Sequence, residues 1–388
     1  MASNGHHHDA IAGARYDTRV RIDAVELSVV RLPLVRPFET SFGRVAAREF
    51  VLVAVYQDGV AGWGECVADA DPYYSSETSA SAWQTMAKYL IPAVLNVDVE
   101  HPRALHGHWR RVRGHRMAKA ALEMAAWDLQ ARLERRPLCE LLGARARPIP
   151  AGVSIGIQES LDALVDRVQS ELAEGYQRIK IKIKPGWDRA PVAAIRERCG
   201  DVALMVDANA AYQAADAASL AELDRFKLMM IEQPLDYDDL VQHSRLQAAL
   251  ATAICLDESI TGPQAALDAL DLGSCRIINI KPGRMGGFGP SLDVHAIARD
   301  RAIPLWHGGM LESGIGRAHN LHLSTLPGFV LPGDVAASRR YFVPDLIEPP
   351  IEIRPDGTIE VPAGPGIGVD PVPDRVKAAR LHTERFCA

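Results

Sequence analysis

Five short apolar runs decide the fold of this chain: IKIK at residues 179–182, LMVDAN at 204–209, MMIEQP at 229–234, AICLDES at 253–259 and RIINIKPG at 276–283. Each run carries one charged residue of a regular series: Lys182, Asp207, Glu232, Asp257 and Lys281. Successive members of this series are 25, 25, 25 and 24 positions apart. One strand and one return helix together take about 25 residues, so the repeat predicts a (β/α) barrel.

The strand assignment rests on two patterns. Isoleucines at 179, 181 and 183 alternate with lysines at 180, 182 and 184, which is the period of a strand with two unlike faces. The runs 204–206 and 277–280 avoid charge, as in parallel strands buried on both faces. A barrel of this type places the C-terminal ends of its strands on one face, so we expect the five charged residues to converge on one pocket.

Three carboxylates of the series suggest a metal site. Asp207, Glu232 and Asp257 are hard oxygen donors on three successive predicted strands, and such donors favour Mg²⁺, or alternatively Mn²⁺, over zinc. A single carboxylate at a strand end is more often a helix cap than a ligand. Three at equal spacing on consecutive strands instead predict a divalent-metal site.

The lysines suggest acid–base chemistry. Lys180 and Lys182 lie two positions apart and point to the same side of their strand. Because a second cation disfavours the charged form of its neighbour, we expect Lys180 to act as an auxiliary that lowers the pKa of Lys182. Lys184 is in phase with both, so a solvated strand face is the alternative. Lys281 follows an apolar run and would face Lys182 across the barrel, unless it only forms a salt bridge to Asp257.

The composition excludes several classes of protein. The 388 residues are 48% hydrophobic and carry a net charge of −6, so we expect neither a nucleic-acid partner nor a membrane partner. The six cysteines form no CxxC pair, and no apolar run reaches the roughly 18 residues that span a bilayer. We therefore expect a cytoplasmic protein. We also expect a homo-oligomer and a small-molecule carboxylate substrate, which the composition does not determine.

The chain divides into three parts. Residues 1–18, with Gly5-His6-His7-His8, are interpreted as a disordered tail or a cloning remnant. Residues 19–145 combine a strand meander, with a hairpin signal at Asp58-Gly59, and helices predicted at 77–95 and 117–135, as in an α+β domain. Residues 146–340 form the predicted barrel, with an eighth strand near 329–331. The Pro-rich tail, about 341–388, is expected to return to the first domain and complete it.

Histidines and glycines follow the seventh predicted barrel strand. Gly308 and Gly309 can offer backbone N–H groups to a ligand carboxylate. His307 is either a catalytic auxiliary or a hydrogen-bonded structural histidine. His319 and His322, three apart on the next helix, could share a zinc ion, although helix packing is the commoner role of such a pair.

The residues named so far resemble the enolase superfamily, specifically its muconate-lactonizing subgroup. That pattern has Lys-x-Lys on the second barrel strand, Asp, Glu and Asp on the next three strands, and Lys on the sixth. Longer strings are similar to the o-succinylbenzoate synthase/N-succinylamino acid racemase family: PFETSFG (37–43), GWGEC (62–66), MAKAALEMAAWD (117–128), GVSIGI (152–157), IKPGWD (183–188), IKPGRMGG (280–287), GGMLESGIGRAHN (308–320) and LPGD (331–334). The resemblance covers nearly the whole chain.

The resemblance implies a modified (β/α)7β TIM-type barrel under an N-terminal α+β capping domain. It also implies a metal that binds the substrate carboxylate and stabilises an enediolate. Lys182 would remove the α-proton of 2-succinyl-6-hydroxy-2,4-cyclohexadiene-1-carboxylate and return it to the departing hydroxyl, giving o-succinylbenzoate for menaquinone synthesis. Lys281 would stabilise the enediolate. In racemisation of N-acylamino acids, Lys182 and Lys281 would work from opposite faces.

By the same resemblance, the substrate-binding residues are Ser154, Asn209, Gly308, Gly309, Met310 and Phe42, the last in a mobile capping loop at 36–42. Arg284 is similar to the arginine of the branch with racemase activity, and so favours a bifunctional enzyme. Lys184 and His307 depart from the pattern, which has an acidic residue and a smaller residue there. Both are expected to alter substrate preference.

Other interpretations are also open. A dipeptide epimerase or a muconate cycloisomerase of the same superfamily would use the same five charged residues. A Schiff-base aldolase also places a lysine inside a barrel. The aldolase predicts inactivation by borohydride with substrate and indifference to EDTA, whereas metal-dependent enolisation predicts the reverse.

Overall fold

The structure, a computed structural model, describes residues 18–387. The predicted tail therefore lies outside the described residues, apart from Thr18. Within residues 18–387, no helix combines the length and the apolar character needed to cross a membrane.

The N-terminal part combines strands and helices. Its strands are β1 (Val20–Arg21), β2 (Ala24–Glu39), β3 (Arg44–Gln57), β4 (Val60–Cys66) and β5 (Asp98–Val99). Its helices are α1 (Ser79–Thr85), α2 (Leu105–His108), α3 (Arg116–Leu133) and α4 (Leu138–Leu141), with a π-helical turn at Met86–Leu90 and a 3-10 turn at Pro102–Ala104. The helix predicted at 77–95 is thus shorter than expected.

Close packing joins β4 to α3. The β3–β4 turn is made by Asp58 and Gly59, both with positive φ (50° and 81°), as a two-residue hairpin requires. On β4, Gly62 and Gly64 lie directly against the backbone of α3, and a Cβ at Gly64 would overlap the carbonyl oxygen of Ala121. The absence of these two side chains therefore sets the distance between sheet and helix.

The second part is a parallel barrel sheet. After β6 (Ile149–Pro150) come β7 (Gly152–Ile155), β8 (Arg178–Lys182), β9 (Leu204–Asp207), β10 (Ile231–Glu232), β11 (Ile254–Leu256), β12 (Ile277–Ile280) and β13 (Leu305–His307). Strands β7 to β13 pair with their sequence neighbours, all in parallel.

Helices return the chain between these strands. They are α5 (Leu161–Ala173), α6 (Arg189–Cys199), α7 (Ala217–Ala221), α8 (Leu240–Ala249), α9 (Pro263–Leu272), α10 (Pro282–Met285), α11 (Phe288–Asp300) and α12 (Gly314–Leu323). The 3-10 turns Ala214–Asp216 and Glu222–Phe226 flank α7. The predicted α/β barrel with an N-terminal strand-rich domain is confirmed.

The segment 329–333 occupies the eighth position of the barrel. Phe329 forms an isolated parallel bridge with Leu305 of β13, and Gly333 forms one with Ala151 just before β7. The predicted strand at 329–331 is therefore reduced to single bridges. The two bridges connect the first and last strands of the curled sheet.

The C-terminal tail contacts both parts. It contains a 3-10 turn (Ser338–Arg340), β14 (Thr358–Ile359), α13 (Pro373–Ala379) and β15 (Arg380–Cys387). Strand β14 pairs with β6, and β15 pairs antiparallel with β2, giving the sheet order β15-β2-β3-β4. The domain limits at 19–145 and 146–340 stay predictions.

An apolar layer fills the barrel beneath the charged residues. Side chains on four strands, together with Met230 just before β10, form one buried cluster: Met205, Met230, Cys255, Ile277 and Trp306. The amine of Lys180 lies 4.9 Å from the centre of the Trp306 ring, directly above this layer. The charged residues at the strand ends therefore lie next to a buried apolar layer.

The contact between β4 and α3 can be tested by substitution. We expect Gly64→Ala to reduce the free energy of unfolding by about 1–3 kcal/mol, because the added methyl group forces two backbones apart. Urea denaturation followed by circular dichroism measures the change. Gly107→Ala is the control, since no atom lies within 4 Å of its Cβ position. Equal stabilities of the two variants would contradict the packing argument.

Candidate active site

The barrel strands bring the predicted charged residues together. Lys182 on β8 lies in register with Asp207 on β9, which in turn lies in register with Glu232 on β10. Asp257 and Lys281 directly follow β11 and β12. All five side chains are buried, and so is Lys180. The convergence expected from the 25-residue repeat is present.

Each carboxylate is paired with an amine. The Nζ atom of Lys182 lies 2.6 Å from Oδ2 of Asp207, and that of Lys281 lies 2.7 Å from Oδ2 of Asp257. Lys180 lies between two strands, 3.0 Å from Glu232 and 3.3 Å from Asp207. Buried charges are tolerated when they are paired in this way.

The charges set the pKa values of this cluster. Burial opposes ionisation of Asp207, but the amines of Lys182 and Lys180 outweigh it and hold the pKa of Asp207 below its ordinary value. Burial and the neighbouring Asp207 raise the pKa of Glu232. For Lys180, burial is outweighed by Asp334, Glu232 and Asp207, which raise its pKa. Carboxylates therefore surround the Lys180 amine, and its expected effect on Lys182 stays a prediction.

The donor set fits a hard divalent cation, although the side chains are not oriented for one. Among residues 18–387, no three His, Cys, Asp or Glu side chains are arranged to hold a metal ion as they stand. Asp257 accepts bonds from Lys281, Arg284 and Tyr74, and Glu232 accepts from Lys180 and Asn279. The buried oxygens of adjacent strands are the ligand type that Mg²⁺ prefers, and a cation would have to replace these ammonium contacts.

A cavity of about 200 Å³ opens above the charged residues. Lys182, Lys281, Asn209, Gly309, Met310 and Phe42 all line it. Asn209 accepts a bond from Lys182 at 2.6 Å and donates one to Glu258 at 2.9 Å. Both lysines therefore line the same cavity.

Two predicted substrate-binding residues, Ser154 and Gly308, are not among the residues that line this cavity. Ser154 is in register with Lys180, and its buried hydroxyl has no hydrogen-bond partner among the described residues. Gly308 packs beside Lys281, where a Cβ would lie 2.6 Å from Cε of the lysine. Ser154 thus offers a free polar group, and Gly308 leaves room for the lysine stem.

The structure places the two predicted specificity residues away from the cavity lining. Arg284 is buried behind Asp257, with which it is paired, and also donates to the carbonyl oxygen of Ile260 at 2.8 Å. His307 stacks on Phe329 with ring centres 6.3 Å apart, and burial lowers its pKa to about 3. Trp306 faces the barrel interior, so its neighbour His307 faces the outer side of the strand.

The other predicted histidine pair does not form a common site. His319 bonds to the carbonyl oxygen of Trp63 at 2.8 Å, whereas His322 accepts from the backbone N–H of Cys139 at 3.1 Å. Burial lowers the pKa of His319 to about 3 and that of His322 to about 4. Each histidine therefore connects helix α12 to a different segment, which is the packing role.

Three residues that the sequence did not single out complete the site. Asp334 forms ion pairs with Lys180 at 2.6 Å and with Arg178 at 2.8 Å. Glu258 is buried beside Asn209, and burial followed by the charge of Asp207 raises its pKa to about 7. Tyr74 reaches in from the N-terminal part and contacts Lys281. Asp334 ends the LPGD string and Glu258 lies in the AICLDES run, whereas Tyr74 lies in none of the quoted strings.

Metal binding can be measured without an activity assay. A divalent cation that binds the folded protein at 100 times its dissociation constant should stabilise it by about 2.7 kcal/mol. We expect Mg²⁺ or Mn²⁺ to raise the thermal midpoint, and Asp207→Asn or Glu232→Gln to reduce that rise strongly. Asp268→Asn, at an exposed position of α9, is the control. A rise that is unchanged in the first two variants would place the cation elsewhere.

Comparison with known proteins agrees with this geometry. Residues 24–143 match the family model described as mandelate racemase/muconate lactonizing enzyme, N-terminal domain, and residues 163–375 match enolase C-terminal domain-like. An o-succinylbenzoate synthase of Geobacillus kaustophilus is 50% identical over 352 residues, which is 90% of this chain and 94% of that protein. An N-succinylamino acid racemase of Thermus thermophilus is 49% identical over 350 residues, or 90% and 95% of the two chains.

A solved structure extends the similarity to the whole fold. An enolase-superfamily member from Listeria innocua superposes with a TM-score of 0.91 at 37% identity, covering 95% of this chain and all of that one. Enzymes of this superfamily depend on a divalent metal. The chain belongs to the o-succinylbenzoate synthase/N-succinylamino acid racemase family of the enolase superfamily.

Proposed function

We propose that this protein catalyses two reactions in one site, with Mg²⁺ as the cofactor and Mn²⁺ as a substitute. One reaction is the syn-dehydration of 2-succinyl-6-hydroxy-2,4-cyclohexadiene-1-carboxylate to o-succinylbenzoate, a step of menaquinone synthesis. The other is the racemisation of N-succinylamino acids. The observation that carries the proposal is that the buried amines of Lys182 and Lys281 line one cavity beside three buried carboxylates.

Both reactions begin by removing a proton next to a carboxylate. When bound, a divalent cation would stabilise the negative charge that develops on the substrate carboxylate, so the α-proton becomes more acidic. In the dehydration, the Lys182 amine takes this proton and the C–H electron pair forms an enediolate. The C–O bond to the hydroxyl then breaks, and Lys182 returns the proton so that water leaves.

Racemisation needs both amines. One lysine removes the α-proton from one face of the carbon, and the other lysine, already protonated, delivers a proton to the opposite face. Lys182 is on β8 and Lys281 follows β12, so they approach the cavity from different sides of the barrel. Lys180 is a positioning residue whose amine pairs with both Glu232 and Asp207.

A side-by-side kinetic comparison tests the proposed function. We expect both reactions to proceed with Mg²⁺ or Mn²⁺ and to stop with EDTA, and borohydride with substrate to leave the enzyme active. Turnover of an L,D-dipeptide or of a muconate, but not of N-succinylamino acids or the cyclohexadiene, would assign a different reaction. Inactivation by borohydride together with indifference to EDTA would indicate a Schiff-base aldolase.

Replacement of the proposed base tests its role. We expect Lys182→Ala to lower kcat for dehydration by about 10²–10⁴-fold or more, because the site loses the group that moves the proton. Stopped assays of o-succinylbenzoate formation measure this loss. Lys377→Ala, at an exposed position of α13, should keep kcat within about twofold. A Lys182→Ala variant with wild-type kcat would remove Lys182 from the mechanism.

An ion pair accounts for the unusual Lys184. Its Nζ lies 3.7 Å from Oε1 of Glu39 at the end of β2, so it connects the barrel to the predicted capping loop. The two side chains are 41% and 36% exposed. Exposed pairs of this kind contribute about 0.2–1 kcal/mol to stability.

Charge reversal tests this ion pair. We expect Lys184→Glu to raise KM by about two- to fivefold. Two carboxylates then repel each other, which weakens closure of the predicted capping loop over the substrate. Adding Glu39→Lys should restore KM to within about twofold of the wild-type value. A double variant no better than the single one would show that the two side chains do not act as a pair.

A further inference from the structure

The two amines of the site are held by different parts of the protein. Lys182 bonds to Asp207 and Asn209, both at 2.6 Å, and both partners belong to the barrel. Lys281 bonds to Asp257 of the barrel at 2.7 Å and to the hydroxyl of Tyr74 at 3.2 Å. Tyr74 lies between β4 and α1, in the N-terminal part of the chain.

Tyr74 contacts Lys281 in two ways. Its hydroxyl accepts a hydrogen bond from the amine and donates one to Oδ1 of Asp257 at 3.1 Å. Its ring centre lies 4.8 Å from the Lys281 Nζ atom, within the range of a cation–π interaction. The tyrosine therefore restricts both the distance and the direction of the amine.

The loop that carries Tyr74 is closed at its base. Asp69 and Thr78 form an isolated bridge, and the backbone N–H of Ser79 donates to the carbonyl oxygen of Asp69 at 2.7 Å. Buried Arg48 pairs with Asp69 and donates to the carbonyl oxygen of Val67 at 3.0 Å. Because the base of the loop is held to the N-terminal sheet, Tyr74 connects that part of the chain to Lys281.

The stem of Lys281 is confined from the other side. Gly308 packs against it so closely that a Cβ there would lie 2.6 Å from Cε. A lysine side chain has four rotatable bonds, and two fixed surfaces remove much of that freedom. Gly308 and Tyr74 together leave the amine a narrow range of positions.

We propose that Tyr74 is a positioning residue that aims the Lys281 amine at the reacting carbon. The N-terminal part of the chain then controls one of the two proton-transfer groups and leaves the other, Lys182, to the barrel. This inference rests on the proposed racemisation, in which each lysine serves one face of the α-carbon. Loss of the hydroxyl should therefore affect the two enantiomers of a substrate unequally.

Hydrogen exchange in D₂O tests this asymmetry. The metal-saturated enzyme is incubated separately with each enantiomer of an N-succinylamino acid, and deuterium at the α-carbon is followed by NMR. Lys281→Ala first identifies the enantiomer whose exchange depends on Lys281. We expect Tyr74→Phe to slow exchange of that enantiomer about tenfold, with the other within about twofold, as loss of one orienting hydrogen bond predicts. The loss should appear in kcat rather than in KM.

Tyr89→Phe is the matched control. Tyr89 also belongs to the N-terminal part, but it is 59% exposed and is not among the residues that line the cavity. We expect it to leave exchange of both enantiomers within about twofold. If Tyr74→Phe slows both enantiomers equally, or neither, the positioning role is wrong while the proposed function stands. If the wild-type enzyme exchanges neither enantiomer, the proposed racemisation fails and this inference fails with it.

Discussion

The pairing of opposite charges at the buried ends of parallel strands is the constraint on which the rest of the structure depends. Asp207, Glu232 and Asp257 are removed from water above an apolar floor, where an unpaired carboxylate is costly. Three lysines of the same barrel neutralise them at 2.6–3.0 Å. The same proximity gives the site its chemistry, because amines that balance the acids also reach the cavity.

The N-terminal part and the barrel meet around the same cavity. Glu65 at the end of β4 accepts bonds from the backbone N–H and the hydroxyl of Ser313 and from the N–H of Gly316. Burial raises the pKa of Glu65 to about 7. These bonds fix the loop that follows β13, which includes Gly309 and Met310 of the cavity wall. The proposed substrate-binding residues Gly309 and Met310 are therefore supported by the N-terminal sheet.

Much of this arrangement could be predicted from the sequence, because it follows from periodicity. The 25-residue repeat determines which residues end the strands, and parallel strands bring those ends together whatever the loops do. The positions of Lys182, Asp207 and Lys281 needed no further information. The side-chain direction of His307 was harder to predict. Only one of two adjacent strand residues can face the barrel interior. Trp306, the larger apolar residue, takes that position, so His307 faces the other side.

Contacts between distant segments could not be predicted in this way. Tyr74 lies in a loop without periodic signal, and its contact with Lys281 spans 207 positions of the chain. Arg284 was noticed only through resemblance, and Lys184 was noticed first through the alternation of its strand. Their partners, Asp257 and Glu39, follow from three-dimensional packing. The orientations of the carboxylates also depend on whether an ammonium group or a metal ion balances their charge. The position of a residue on its strand does not determine which of the two is present.

The most direct measurement is a crystal structure of the protein grown with Mn²⁺, with anomalous diffraction recorded at the manganese edge. The account predicts one strong peak within coordination distance of oxygens of Asp207, Glu232 and Asp257, with the amines of Lys182 and Lys281 on either side of the space above it. A structure in which those carboxylates keep their ammonium partners, while manganese binds elsewhere or not at all, would contradict it.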